Sequence, residues 1–362
     1  LTLVAYVSGH GYGHATRTGE VLRTLREREP RLALAVLSSA PEALFRRAIP
    51  GPLACRTLEC DVGLVQRDAL TIDEAATAVR WAGFEAGLPA LVEAEAAWLR
   101  ASGARLVLGD VPPLAFEAAA RAGVASVALA NFSWDWIYRH LARREAGLAT
   151  AAERCSRGYA RCGLLLRLPF AGDLSAFPRS EDVPLVARHP TVEREEARRR
   201  LGLAGDRPVV LLSFGGIGLP GLAASVLAGL TEFRFVCVGS GGSTAGALME
   251  LDRGCLDAAG LQYQDLVGAA DVVVTKPGYG IVSDAIGAGT RLVYTERGDF
   301  PEYPILVREM SGYLPCAYVS NADLMAGRLR GPILAALALP KPVPPAMNGA
   351  DRAAELILDR LP

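Results

Sequence analysis

Leu3-Val4-Ala5-Tyr6-Val7-Ser8-Gly9-His10-Gly11-Tyr12-Gly13-His14-Ala15-Thr16-Arg17 is a short apolar run that breaks into three alternating glycines and a histidine. The run is too short for a helix and reads as a buried strand over Leu3–Ser8. Thr16–Glu29 then carries Val21, Leu22 and Leu25 on one helical face. A strand, a glycine turn and a helix in that order form the first unit of a parallel α/β sheet. The glycines let backbone approach a ligand, and the helix start leaves N–H groups free for an anion. A dinucleotide fingerprint needs Gly-x-Gly-x-x-Gly and an acid at the end of the second strand. Here the third glycine comes one position early and the second strand ends in Ser38-Ser39, so a nicotinamide site is disfavoured. No Gly-x-x-x-x-Gly-Lys-Ser/Thr phosphate loop occurs.

The same alternation continues outward. Arg31–Leu37, Arg105–Leu108 and Val124–Leu129 read as strands, with helical stretches over Thr71–Leu99 and Pro113–Ala122. After the sparsely periodic Leu168–Pro190 a second set begins, with the charged helix Glu193–Leu201. The strand Val209–Ser213 ends in Gly215-Gly216, and Phe233–Val238 ends in a further glycine cluster. Asp271–Thr275 leads into Lys276-Pro277-Gly278-Tyr279-Gly280, the helix Ile281–Ala288 and the strand Arg291–Thr295. A Pro-rich stretch, Leu339–Pro345, precedes an amphipathic tail helix over Asp351–Leu361. The fold class expected is α/β: two doubly wound parallel-sheet units facing a cleft. Their bounds are 1–180, 181–340 and a tail 341–362 that crosses back.

Length and composition agree. A chain of 362 residues allows two domains, at roughly 100–200 residues each. With 38 Lys+Arg against 39 Asp+Glu the net charge is −1, which argues against nucleic acid held by a basic surface. The seven cysteines include no Cys-x-x-Cys pair and read as reduced thiols of a cytoplasmic protein. No run approaches the ~18 apolar residues of a membrane span, and no signal peptide is evident.

The glycine turns define the candidate site. His14, at the mouth of the first loop, sits where the positive end of a helix favours a neutral imidazole able to accept a proton. The plainer alternative is packing against Tyr12. Gly11, Gly13 and Arg17 complete that loop. In the second half, Gly278 and Gly280 leave the strand and form an anion cradle for a diphosphate. Lys276 and Tyr279 flank it, and Asp284 lies one turn into the helix, placed for ribose hydroxyls or simply as a stabilising acid. Asp299 and Glu302, in the loop Arg297–Tyr303, are candidates for sugar hydroxyls. Phe132-Ser133-Trp134-Asp135-Trp136 follows a strand, so Trp134 could stack on a sugar beside Asp135, or supply core.

These stretches together resemble the GT-B nucleotide-sugar glycosyltransferases, in the group related to the lipid II N-acetylglucosaminyltransferase. They resemble most closely the glycosyltransferase-like N-terminal half of L-arabinokinase. The likeness rests on Val7–Arg17, Asn131–Tyr138, Asp182–Val186, Ser213–Gly216 and Lys276–Ala285. It implies a donor nucleotide in the second half, an acceptor in the first, and a metal-independent reaction with no cofactor beyond the nucleotide sugar. Asp284 is then the ribose acid and Gly278 and Gly280 the diphosphate loop. Glu302 is the donor-sugar contact, Gly215 and Gly216 the facing turn, Tyr263 the base neighbour and His14 the base, with Asp135 as alternative. Glu302-Tyr303 stands where the lipid II enzyme has glutamines. Gly11-Tyr12-Gly13-His14-Ala15-Thr16-Arg17 also resembles a UDP-sugar hydrolase, in which the histidine activates water. The expectation is an inverting transferase using a UDP-type sugar and a hydroxyl-bearing small acceptor. The alternatives are a nucleotide-sugar hydrolase or epimerase, and a silent nucleotide-sugar sensor.

Overall fold

The computed structural model describes residues 2–68, 71–215, 224–239, 244–245 and 248–361. Among these residues, the first seven strands are β1 (Thr2–Val7), β2 (Ala33–Ser38), β3 (Ala54–Thr57), β4 (Ala104–Asp110), β5 (Ala125–Ala130), β6 (Leu164–Arg167) and β7 (Ser180–Asp182). They form one sheet in the order β3-β2-β1-β4-β5-β6-β7, parallel throughout. The expected boundary at 180 falls inside β7, which pairs with β6 through Leu165 opposite Ser180.

The second seven are β8 (Val209–Ser213), β9 (Arg234–Gly239), β10 (Thr244–Ala245), β11 (Leu248–Asp252), β12 (Val272–Thr275), β13 (Arg291–Tyr294) and β14 (Cys316–Tyr318). Their order is β10-β11-β9-β8-β12-β13-β14. All pairs are parallel except the two-residue β10 against β11.

Both faces of each sheet are covered, and period-two alternation decides which residue goes where. In β1, Leu3, Ala5 and Val7 enter one core while Val4 and Tyr6 enter the other. In β8, Val209 and Leu211 face the first core while Val210 and Leu212 face a third. The first core is continuous across the two halves, running from β1 through Leu185 and Val186 to Val273 and Ile357. It is closed by the helix Gly349–Leu358, which packs on the first helix, Tyr12–Arg28. Arg28 pairs with Asp351 at 2.7 Å, and Arg352 with Glu181 at 2.7 Å.

The strand order reverses between β1 and β4, and again between β8 and β12. Crevices of open α/β sheets form at such reversals. One lies between the loop after β1 and Asp110. The other lies between the loops after β8 and β12.

The first helix begins at Tyr12, four residues before the expected Thr16. Gly11, at φ 79, turns the chain into the helix. Gly13 is a poor helix former, which hid this turn from a propensity reading. His14 therefore belongs to the first helical turn.

Candidate active site between the two sheets

Asp110 is the centre of the first crevice. It is fully buried and ends β4, directly beside the end of β1. His14 Nδ1 lies 2.9 Å from Asp110 Oδ1. Arg17 Nη2 donates to the same oxygen at 2.5 Å and Arg17 Nε to Oδ2 at 2.8 Å, where Thr18 Oγ1 also donates at 2.6 Å. Burial alone would raise the Asp110 carboxyl. The Arg17 charge, His14 and their hydrogen bonds outweigh it and hold the group well below the usual carboxylate range. An ionised carboxylate only accepts, so His14 Nδ1 carries a proton towards Asp110, and Nε2 is the ring nitrogen turned away from it. Phe132 packs edge-on against the imidazole at 5.5 Å between centroids.

Arg17 reaches further. Its Nη1 donates to Asn131 Oδ1 at 2.6 Å, and its guanidinium lies 5.0 Å from the centroid of the Tyr279 ring in the second half. Asn131 Nδ2 donates to Glu302 Oε1 at 2.7 Å. Glu302 Oε2 accepts from Arg297 Nη1 at 2.7 Å, and the same nitrogen contacts the Pro277 carbonyl at 3.2 Å. One buried chain of polar groups thus joins His14 to the glycine turn after β12.

That turn caps the helix Tyr279–Gly287 at Gly278. Gly280 abuts Gly13, so the starts of the first helix and of this one meet. Lys276 is half-buried. Burial, with help from the Arg297 charge, lowers its pKa to about 8. Gly215 leaves β8 at φ 75, and Tyr263 Oη lies 2.6 Å from Ser213 Oγ at the same strand end. Burial pushes the Tyr263 phenol up to about 12. Gly216 lies outside the described residues.

Several expected site residues have other occupations. Trp134 is 1% exposed, stacks on Tyr138 and donates from Nε1 to Asp61 Oδ2 at 2.7 Å. It is core, and no face is open for a sugar. Asp135 pairs with Arg139 at 3.0 Å, and burial raises its carboxyl; none of its contacts joins the His14 network. Asp299 is exposed, pairing with His140 at 2.8 Å and with Arg144, an ionic latch between the halves. Asp284 is buried, and both its oxygens accept from Arg188, at 2.9 and 2.5 Å. Sequence reasoning missed Asp110, Asn131, Arg188 and Arg297 as site residues. An acid that closes the apolar run Leu106–Asp110 was the one available signal.

Among the described residues, no group of three or more His, Cys, Asp or Glu side chains is placed to hold a metal ion. No helix there is long and apolar enough to cross a membrane.

The fold and the two facing crevices are those of the GT-B class. Arabidopsis thaliana UGT89C1 with UDP superposes at TM-score 0.64, with 14% identity, covering 100% of both chains. The same protein complexed with quercetin gives TM-score 0.64 at 14% identity, covering 100% of this chain and 99% of that one. The glycotransferase of kitacinnamycin gives 0.62 at 17% identity, covering 100% and 99%. In sequence, the chain is 34% identical over 366 residues to L-arabinokinase of Arabidopsis thaliana, across 99% of this chain. It spans 34% of the length of that relative. No family model matches.

Proposed function

We propose that the protein is a glycosyltransferase that moves a sugar from a UDP-type nucleotide sugar to an acceptor hydroxyl with inversion, without a metal. The observation that carries this reading is the contact of His14 Nδ1 with Asp110 Oδ1 at 2.9 Å, one residue along from Gly13, which abuts Gly280. In this reading Nε2, the nitrogen turned away from Asp110, takes the acceptor proton, while Asp110 stabilises the imidazolium that forms. The deprotonated oxygen attacks the anomeric carbon, and the nucleoside diphosphate leaves.

Charge developing on the departing diphosphate is met by the helix start at Gly278 and by Lys276. Ser213 and Tyr263, at the end of β8, are assigned to the nucleoside. Glu302, buried and bonded to Asn131 and Arg297, is assigned to the sugar hydroxyls. The neighbours crystallised with UDP and with quercetin support a UDP donor and a small hydroxylated acceptor.

Calorimetry with UDP, followed by product analysis of UDP-sugars with and without a panel of hydroxylated acceptors, tests this reading. Micromolar UDP binding and acceptor-dependent UDP release are expected. Sugar release that needs no acceptor would replace transfer with hydrolysis. Absence of UDP binding would sink both.

A further inference from the structure

We infer that Asn131 is a positioning residue that ties the base His14 to the donor-side carboxylate Glu302, so that the base is set only while the two halves are closed. The inference rests on the proposed roles of His14 and Glu302 and adds the link between them. Asn131 follows β5 and is fully buried. Its Oδ1 accepts from Arg17 at 2.6 Å and its Nδ2 donates to Glu302 at 2.7 Å, across the boundary between the halves.

The amide has one allowed orientation. A guanidinium only donates and a carboxylate only accepts, so a flipped amide would lose both bonds. The bonds from Arg297 to Asp110 then have one set of roles: Arg297 donates to Glu302, Asn131 donates to Glu302, and Arg17 donates to Asn131 and to Asp110. His14 Nδ1 donates to Asp110, with Arg17 Nη2 also 3.2 Å from that nitrogen. Opening the halves breaks the Asn131–Glu302 bond and frees the amide to turn. Arg17 then loses its fixed acceptor, and with it the rigidity of the Asp110 carboxylate that orients His14. A buried network with every member satisfied is rigid, and one missing partner loosens it. A carboxylate oxygen has a second lone pair, so Glu302 can take a sugar hydroxyl without releasing Asn131.

A polarity swap tests this. Asn131→Asp alone puts two carboxylates in contact, and Glu302→Gln alone costs one bond whichever way the new amide points. In the double variant the carboxylate at position 131 accepts from Arg17 and from the new amide at position 302, whose oxygen accepts from Arg297. Every bond and the summed charge return. Each single variant is expected to lower kcat with UDP-sugar and acceptor by at least about tenfold, as a misplaced base does. The double variant is expected to recover most of that loss. Losses that simply multiply in the double variant overturn the inference, as do single variants that keep wild-type kcat.

The second readout needs no substrate: the hydrogen-bonded Nδ1 proton of His14, followed by NMR in histidine-labelled protein. It is expected to exchange faster in both single variants and to be protected again in the double. An unchanged signal in both singles overturns the coupling even if no UDP-sugar is turned over. Restored protection in a protein that binds no UDP keeps the coupling and discards the proposed donor.

Discussion

Gly13 and Gly280 stand against each other where the two halves meet: a Cβ built on Gly280 would lie 2.9 Å from the Gly13 Cα. Backbone rather than a flexible side chain is the obstacle, so one helix start must retreat from the other. A Cβ on Gly13 would lie 3.5 Å from its nearest neighbour, an ordinary contact. Gly280→Ala is therefore expected to lower turnover by about tenfold to a hundredfold, since small misplacements across a site cost that much. Gly13→Ala is expected to cost less. Steady-state kinetics of both variants decide it, and equal losses would refute the asymmetry.

His14 and Asp110 separate by what each removes. His14→Ala deletes the base and is expected to cost about 10²–10⁴-fold in kcat with UDP affinity nearly intact. Asp110→Asn also frees the imidazole tautomer and leaves the buried Arg17 without its anion, a loss of about 3–5 kcal/mol. The Asp110 carboxyl is held below its unfolded range. Its stabilisation is therefore present above about pH 4 and fades as pH falls below that. Denaturant unfolding of wild type and Asp110→Asn should differ most at neutral pH, and the difference should shrink progressively as pH falls below about 4. A constant difference would place the effect outside the ion pair.

The sequence made the framework legible because buried parallel strands are apolar runs and their loops are glycine-rich. β1, β4, β8 and β12 could each be located in this way. It showed the loops on either side of the cleft, and His14 within one of them. It could not show which side chains are already occupied. Trp134 next to Asp135 looked like a sugar platform, but it opens the helix Trp134–Leu141, where its indole stacks on Tyr138 and reaches inward to Asp61. Asp284 looked free because its partner Arg188 is 96 positions away. Asn131 and Glu302 are 171 apart, and only the closed cleft joins them.

Arg188 is predicted to be as important as the acid it holds. Both Asp284 oxygens accept from its guanidinium, and both side chains are largely buried, so Arg188→Met strands a carboxylate inside the protein. A loss of about 3–5 kcal/mol in unfolding free energy is expected. Asp284→Asn added to that background should return part of it, because the stranded charge is then gone. If ribose hydroxyls also bond Asp284, saturating UDP should raise the melting temperature of Arg188→Met less than that of wild type. Wild-type stability of Arg188→Met would remove the pair from the account.

Lys276 gives the donor site a pH limit. Burial and the neighbouring Arg297 bring its pKa down to about 8, so between that value and the ordinary lysine range near about 10.4 the folded protein binds one proton fewer than the unfolded chain. Two opposite trends follow. Folding stability contributed by this group rises with pH across that window, because the unfolded state holds more protons there. UDP affinity falls over the same range, because the ammonium that meets the diphosphate is lost. Isothermal titrations of UDP between about pH 7 and 9.5 should show affinity declining through about pH 8 in the wild type. Lys276→Met should bind more weakly at neutral pH and show no such decline. A wild-type affinity that stays level across pH 8 would mean that Lys276 carries no part of the diphosphate's charge.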